Sequence, residues 1–332
     1  MKAQKDLNLV SKLKQTCPVF SPVPRPLKPC LLVLLVAAVR IVVASENVPH
    51  RPFGMWADLP EPRQFVLGVV YEESEAYHIW AGHEQHNITY PSKGQSYGID
   101  INQGYLALQY GLTERWAADF NIGGTTAGWR YFDNGRIRST TGLMDYSFGV
   151  RYQIFNEAET ENPWIPTLTF RAGAVLPGSF NENFAYAPGT RSAAIEPGLL
   201  FRKQFGWPGF GAYGDAFFRW NRTIGNDLYI TVIGLFQKIK NWELAAGYRH
   251  LQTVTGSDIR ITNPDDPATV VLVYPRDVRE INDSIEAGFS YTTPKRHIRL
   301  GFHSRTVFDG SNTDRKFWVG ASIDFPIGGK TD

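Results

Sequence analysis

From Gln64 onward, apolar residues recur at every second position along stretches much longer than an ordinary strand. Side chains of a β-strand point to alternate faces, so period two marks a strand with one apolar and one polar face. Near the end of the chain Phe317, Val319, Ala321, Ile323 and Phe325 share one face, and Trp318, Gly320, Ser322 and Asp324 share the other. Met144, Tyr146, Phe148, Val150, Tyr152 and Ile154 alternate in the same way with Asp145, Ser147, Gly149, Arg151 and Gln153. The set Phe210, Ala212, Gly214, Ala216 and Phe218 alternates with Gly211, Tyr213, Asp215, Phe217 and Arg219. The pattern predicts strands near 64–76, 100–110, 115–130, 138–155, 164–176, 193–205, 210–221, 228–239, 242–254, 280–293, 296–308 and 315–327. Several exceed the usual soluble strand of about five or six residues. They reach the roughly 9–11 tilted residues that cross a bilayer.

The connections alternate as well. Those near 111–114, 156–163, 206–209, 240–241 and 294–295 are short, and those near 77–99, 177–192 and 255–279 are long. Outer-membrane barrels have short periplasmic turns and longer external loops. The expected fold is therefore all-β, a closed antiparallel transmembrane β-barrel of about twelve strands. The count becomes about fourteen if Asp258–Thr262 and Thr269–Tyr274, on either side of Asn263–Pro267, enter the membrane as strands of their own. A soluble β-sandwich would pack its apolar faces inward. It gives no reason for the opposite face to gather Arg, Asp and Glu while loops alternate short and long.

Four segments follow. Residues 1–45 read as a secretory leader: Lys12, Lys14, Arg25 and Lys28 precede the apolar run Cys30–Val39, which Arg40 interrupts before the small residues Ala44 and Ser45. The run is short for a transmembrane helix. Both cysteines, Cys17 and Cys30, lie in this leader, so no disulfide is expected in the exported part. Residues 46–63 are Pro-rich and read as a periplasmic lead-in, or in a sharper reading as a plug that fills the bore with Phe53, Met55, Trp56 and Leu59. The barrel takes 64–328, and 329–332 form a tail. A formal net charge of +2 points to no nucleic-acid partner. The mean hydropathy of −0.25 would suit a soluble chain, but a barrel shows lipid only alternate residues.

Two residue sets follow from parity. The face opposite the apolar one carries Glu72, Asp119, Asp145, Arg151, Arg171, Glu196, Arg202 and Asp215 in the first strands. It continues with Arg219, Glu243, Arg249, Glu286, Arg299, His303, Arg305 and Asp324. These are the candidate lumen residues, expected to pair or stay hydrated because unpaired charge in a narrow lumen is costly. Phe65, Tyr110, Trp116, Trp164, Phe205, Trp242, Tyr291 and Phe325 lie near the short-turn ends and share parity with the apolar face of their strands. That arrangement suits an aromatic girdle at the membrane interface.

The stretch Tyr110-Gly-Leu-Thr-Glu-Arg-Trp116, followed by Gly142-Leu-Met-Asp145, Gly149-Val-Arg151-Tyr152, Asn162-Pro163 and Leu176-Pro177-Gly178, resembles a family of outer-membrane barrels named after the meta-cleavage pathway of phenol degradation. The resemblance covers roughly 105–205. Leu143 and Met144 separate a Gly-Asp pair usual in that family, and its Pro-Thr-Gly is here Pro-Gly. The resemblance implies a transport-related barrel. Gly320, Ala321, Ile323 and Phe325 also resemble the terminal signal read by the barrel-assembly machinery, although Pro326–Asp332 follow the aromatic.

The expected function is passive or gated transport of small molecules, hydrophobic ones included, through a narrow polar lumen in the bacterial outer membrane. The expected partners are outer-membrane lipid, the barrel-assembly machinery and a small-molecule solute. An outer-membrane barrel enzyme (lipid-modifying or proteolytic) and a structural or adhesive barrel acting through its loops are the alternatives. The sequence has no HExxH, Gly-x-Ser-x-Gly or P-loop motif, and no cofactor is implied. His78, His83 and His86 beside Glu84 are spaced unlike a standard metal pair.

Overall fold

The computed structural model describes residues 57–88, 98–129, 139–181, 189–222, 225–258, 260–261, 270–271 and 278–329. The expected leader and residues 46–56 of the lead-in, with Phe53, Met55 and Trp56, lie outside them. The elements are β1 (Gln64–Ala81), β2 (Glu84–Asn87), β3 (Ile99–Gly111), β4 (Trp116–Trp129), β5 (Ser139–Leu143) and β6 (Tyr146–Phe155). They continue with β7 (Thr167–Leu176), β8 (Ala194–Gln204), β9 (Phe210–Asn221), β10 (Leu228–Ile239) and β11 (Trp242–Thr253). The last are β12 (Arg260–Ile261), β13 (Val270–Val271), β14 (Ile281–Thr292), β15 (Arg299–Ser311) and β16 (Asp314–Gly328).

Twelve of these strands close on themselves. Consecutive wall strands pair antiparallel in the order β1-β3-β4-β6-β7-β8-β9-β10-β11-β14-β15-β16, and β16 returns to β1. The closing ladder runs from Gln64 opposite Gly328 to Ile79 opposite Asp314, with one bulge between Ala76 and His78. Closure leaves no open edge in the wall, which a spanning sheet requires because lipid cannot satisfy backbone N–H and C=O groups. The remaining strands extend hairpins: β2 folds back on β1 and β5 continues the β4 ladder. Of the two segments that would have raised the count to fourteen, the described parts, β12 and β13, pair with each other as a two-stranded ribbon separate from the wall.

Tight turns join strands at one end. Lys240 takes φ 54° between β10 and β11, and Gly209 takes φ 73° before β9. A Cβ on Gly209 would also fall 2.2 Å from the Lys238 carbonyl oxygen, so both conformation and space require glycine there. The connection after β6 contains a single 3₁₀ turn, Glu157–Glu159, capped by the Asn156 side chain.

The chain is apolar outside and polar inside, the reverse of a soluble domain. Ile233, Leu235, Leu244, Ile285, Phe289, Leu300 and Phe302 are exposed on the outer face, while Arg151, Arg171, Asp119 and Glu286 are buried. The outward apolar series ends at similar heights around one side of the wall. On β1 it runs Phe65, Leu67, Val69, Tyr71 and then Glu73; on β11 Trp242, Leu244, Ala246, Tyr248 and then His250; on β14 Tyr291 to Ile285 and then Asp283. Eight residues along a strand tilted about 40° give a band roughly 20 Å tall. That is close to the apolar band of about 25 Å that an outer-membrane barrel presents to lipid. His250 Nδ1 pairs with Asp283 Oδ1 at 2.7 Å at the upper margin, and Tyr248 donates its hydroxyl to the same carboxylate.

Ile233, 60% exposed on the outer face of β10, sits mid-strand. Its replacement by arginine is expected to cost about 2–4 kcal/mol of folding free energy in a bilayer. Equilibrium folding into vesicles measures this, and a cost near zero would mean that this face does not meet lipid.

Candidate functional site

The inward parity of the strands assembles a chain of ion pairs through the barrel. Arg171 on β7 reaches Asp119 on β4 through Nε (3.1 Å) and Nη2 (2.7 Å), and Glu196 on β8 through Nη1 (3.0 Å). Glu196 also accepts from Arg219 on β9, with Nη2 to Oε2 at 2.6 Å. Arg151 on β6 lies 3.7 Å from Asp119 and donates to Gln109 Oε1 at 2.7 Å. Arg151 and Arg171 are both fully buried. Gly149 and Gly173 make room for them: a Cβ on Gly173 would fall 2.2 Å from Arg171 Nη1. Gly173→Ala is therefore expected to cost about 1–3 kcal/mol, readable as a lower urea midpoint in lipid vesicles.

The other inner-face residues form separate groups. His303 Nε2 lies 2.9 Å from Glu72 Oε1, and Arg299 Nη1 lies 3.1 Å from Asp324 Oδ2. The Arg305 guanidinium stacks 4.2 Å over the ring of Trp318, which also faces inward. Arg249 interacts electrostatically with Glu286 and Asp215. Glu243 is buried close to the charges of Lys238, Arg202 and Asp58. Asp145 is placed differently from the expectation of a lumen wall charge. It lies in the break between β5 and β6 and accepts backbone N–H bonds from Gly178 (2.9 Å), Thr190 (3.2 Å) and Arg191 (3.1 Å). It holds the loop after β7 onto the rim.

Arg202 on β8 is met by a residue from outside the wall. Its Nε donates to Asp58 Oδ2 at 2.6 Å and its Nη2 to Asp58 Oδ1 at 2.8 Å, a bidentate pair. Thr169 donates its hydroxyl to the Ala57 carbonyl. Pro62 bridges to Gly111, where Arg63 N–H donates to the Gly111 carbonyl at 2.7 Å. A Cβ on Gly111 would fall 1.9 Å from the Glu61 carbonyl oxygen. Ala57, Leu59 and Pro60 are buried. Residues 57–62 thus lie against inward-facing groups of β3, β7 and β8 near their short-turn ends. Glu157, from the turn after β6, lies 3.6 Å from Arg202 Nη1 and is itself held by Lys203 at 2.5 Å.

Beside Arg202 the inner face turns apolar. Tyr213 is its cross-strand partner on β9, and Tyr213, Val232, Phe236 and Ala245 form one buried cluster. Asp58, Glu157 and this cluster were not among the expected site residues. Asp58 and Glu157 lie in segments without periodicity.

The aromatic set lies at the short-turn end, in paired rings. Phe65 stacks on Tyr110 with centroids 4.2 Å apart, and Trp242 on Tyr291 at 5.0 Å; Trp116 meets Tyr152 at 4.7 Å. Phe325 lies opposite Leu67 on the same outer face. Trp164 and Phe205 fall just beyond the strand ends, in turns, and Trp164 is 86% exposed. The histidines do not converge: His78 and His86 occupy adjacent rungs of the β1–β2 hairpin and so point to opposite faces. Among the described residues no group of three metal ligands occurs.

No family model and no curated protein matches the chain. Among solved structures it is similar to an outer membrane channel from Pseudomonas putida F1, with 16% identity over 85% of this chain and 100% of that one and a TM-score of 0.63. It is more loosely similar to the P. putida toluene transporter TodX, at 10% identity over 82% of this chain and 91% of that one, with a TM-score of 0.37. The translocator domain of the autotransporter NalP from Neisseria meningitidis matches at 12% identity over 79% and 88%, with a TM-score of 0.42. The first of these likenesses carries the fold, a closed outer-membrane-type barrel.

Proposed function

We propose that the chain is a bacterial outer-membrane barrel that passes small solutes, hydrophobic ones included, along a narrow polar lumen gated by its own N-terminal lead-in. The observation that carries this reading is the bidentate Asp58–Arg202 pair. It fixes a segment from outside the wall across inward-facing groups, with Ala57, Leu59 and Pro60 buried beside it. Twelve strands at a tilt near 40° give a backbone radius of roughly 12 Å; inward side chains reach about 6 Å from it, and the pairs of Arg171 with Asp119 and Glu196 and of Arg202 with Asp58 narrow the bore further. Acids and bases are nearly even among the candidate lumen residues, which favours no strong charge selectivity. The aromatic pairs at the short-turn end support a girdle at the periplasmic interface. The fold likeness to an outer membrane channel is in keeping with transport.

Asp58→Ala removes the latch and leaves every wall residue in place. In planar bilayers its conductance is expected to exceed that of the parent. Equal conductance would count against a gate at Arg202.

A further inference from the structure

The Arg202 site has the composition of a ligand site, and the chain fills it with a piece of itself. A guanidinium receives a carboxylate through two parallel hydrogen bonds, from Nε at 2.6 Å and Nη2 at 2.8 Å. This fork is the geometry by which arginine recognises carboxylates. The carboxylate belongs to Asp58, and the next two residues, Leu59 and Pro60, are buried with it. Across the β8–β9 ladder Arg202 faces Tyr213, which joins Val232, Phe236 and Ala245 in an apolar cluster. A charged group for one end and an apolar surface for the other thus lie side by side on the inner wall.

The surrounding charges narrow the ligand further. Glu157 lies 3.6 Å from Arg202 Nη1, and Glu243 is buried within electrostatic reach of the same guanidinium. The Glu157 carboxylate on the flank of the arginine disfavours a dianion. Thr167 Oγ1, 3.4 Å from Nη2, adds a hydroxyl beside the carboxylate position.

We infer that Arg202, with Tyr213 and Phe236 beside it, forms a lumen site for small amphipathic monocarboxylates, and that Asp58 occupies it as an internal competitor. Arg202 takes the carboxylate, and the Tyr213 and Phe236 side chains take the apolar body. A solute of this kind displaces Asp58 and so loosens the lead-in from the wall. The inference rests on the transport reading for its physiological meaning, but the site itself can be measured without it.

Benzoate is the probe and benzyl alcohol the neutral comparison, titrated calorimetrically into the refolded chain in detergent. Asp58→Asn removes the competing charge and is expected to bind benzoate about tenfold more tightly than the parent, because a tethered competitor acts at high effective concentration. Benzyl alcohol is expected to show no such gain. Adding Arg202→Gln to Asp58→Asn is expected to abolish it, with heat-modifiable migration on gels checking the fold. If that double variant does not refold, the contrast between benzoate and benzyl alcohol on Asp58→Asn decides. Equal benzoate affinity for the parent and Asp58→Asn, an equal gain for benzyl alcohol, or a gain that survives the loss of Arg202 overturns the site. Conductance of the same Asp58→Asn protein separates the two readings. A rise in conductance without tighter benzoate binding overturns the site and leaves the gate. Tighter benzoate binding without a rise in conductance supports the site and removes the gate.

Discussion

Arg171→Ala is expected to destabilise the barrel by about 3–5 kcal/mol, the usual cost of stripping one partner from a buried charge cluster. Arg171 is fully buried and is the only group in the described lumen that bridges Asp119 to Glu196. Its loss leaves Asp119 with Arg151 alone, at 3.7 Å, and leaves Glu196 with Arg219, at 2.6 Å. It also opens a void walled by Gly149 and Gly173, which lie against the guanidinium. Removing the acid as well does not restore the balance. Arg171→Met combined with Asp119→Asn keeps most of the volume, but it takes from the buried Arg151 the carboxylate 3.7 Å away. The double variant is therefore expected to recover little of the loss. Urea unfolding in lipid vesicles measures both. A loss below about 1 kcal/mol for Arg171→Ala would mean that water reaches the cluster and screens it.

Most of the wall could be read from the sequence because a strand between lipid and lumen writes its two environments on alternate residues. The predicted strands over 210–221 and 228–239 coincide with β9 and β10. Where alternation was interrupted by local geometry, the reading slipped. The strand expected over 138–155 is broken at Met144 and Asp145, because Asp145 turns to accept three loop amides, and the outward face passes from odd-numbered residues in β5, such as Leu143, to even-numbered ones in β6, such as Phe148. The strand expected at 296–308 runs instead from Arg299 to Ser311. Its first residues close a turn in which Thr293 N–H donates to the Ile298 carbonyl, and Asn312, with φ 53°, ends it.

The candidate site was only half legible, for two reasons. Parity picks out inward residues but not their partners, so Arg171 and Glu196 could be named while their pairing could not. The apolar lumen patch was hidden because β10 is apolar on both faces, with Tyr229, Ile233 and Leu235 outside and Val232 and Phe236 inside. Asp58 meets Arg202 across 144 residues of sequence. Its segment has no period at all, so nothing short of the fold could place it.

Deleting residues 46–60 tests the account most directly. The deletion removes Asp58, the Ala57 carbonyl and the buried Leu59 and Pro60 together, while β1 and the wall remain. The ion-pair chain around Arg171 still narrows the lumen, so the opened path should be small, well below that of barrels with about 16–18 strands. In planar bilayers, the refolded parent is expected to be silent or nearly so, and the deleted barrel to give discrete small steps that exclude disaccharides. Two barrels with the same conductance, whether both silent or both open, would contradict a lumen gated by its own lead-in.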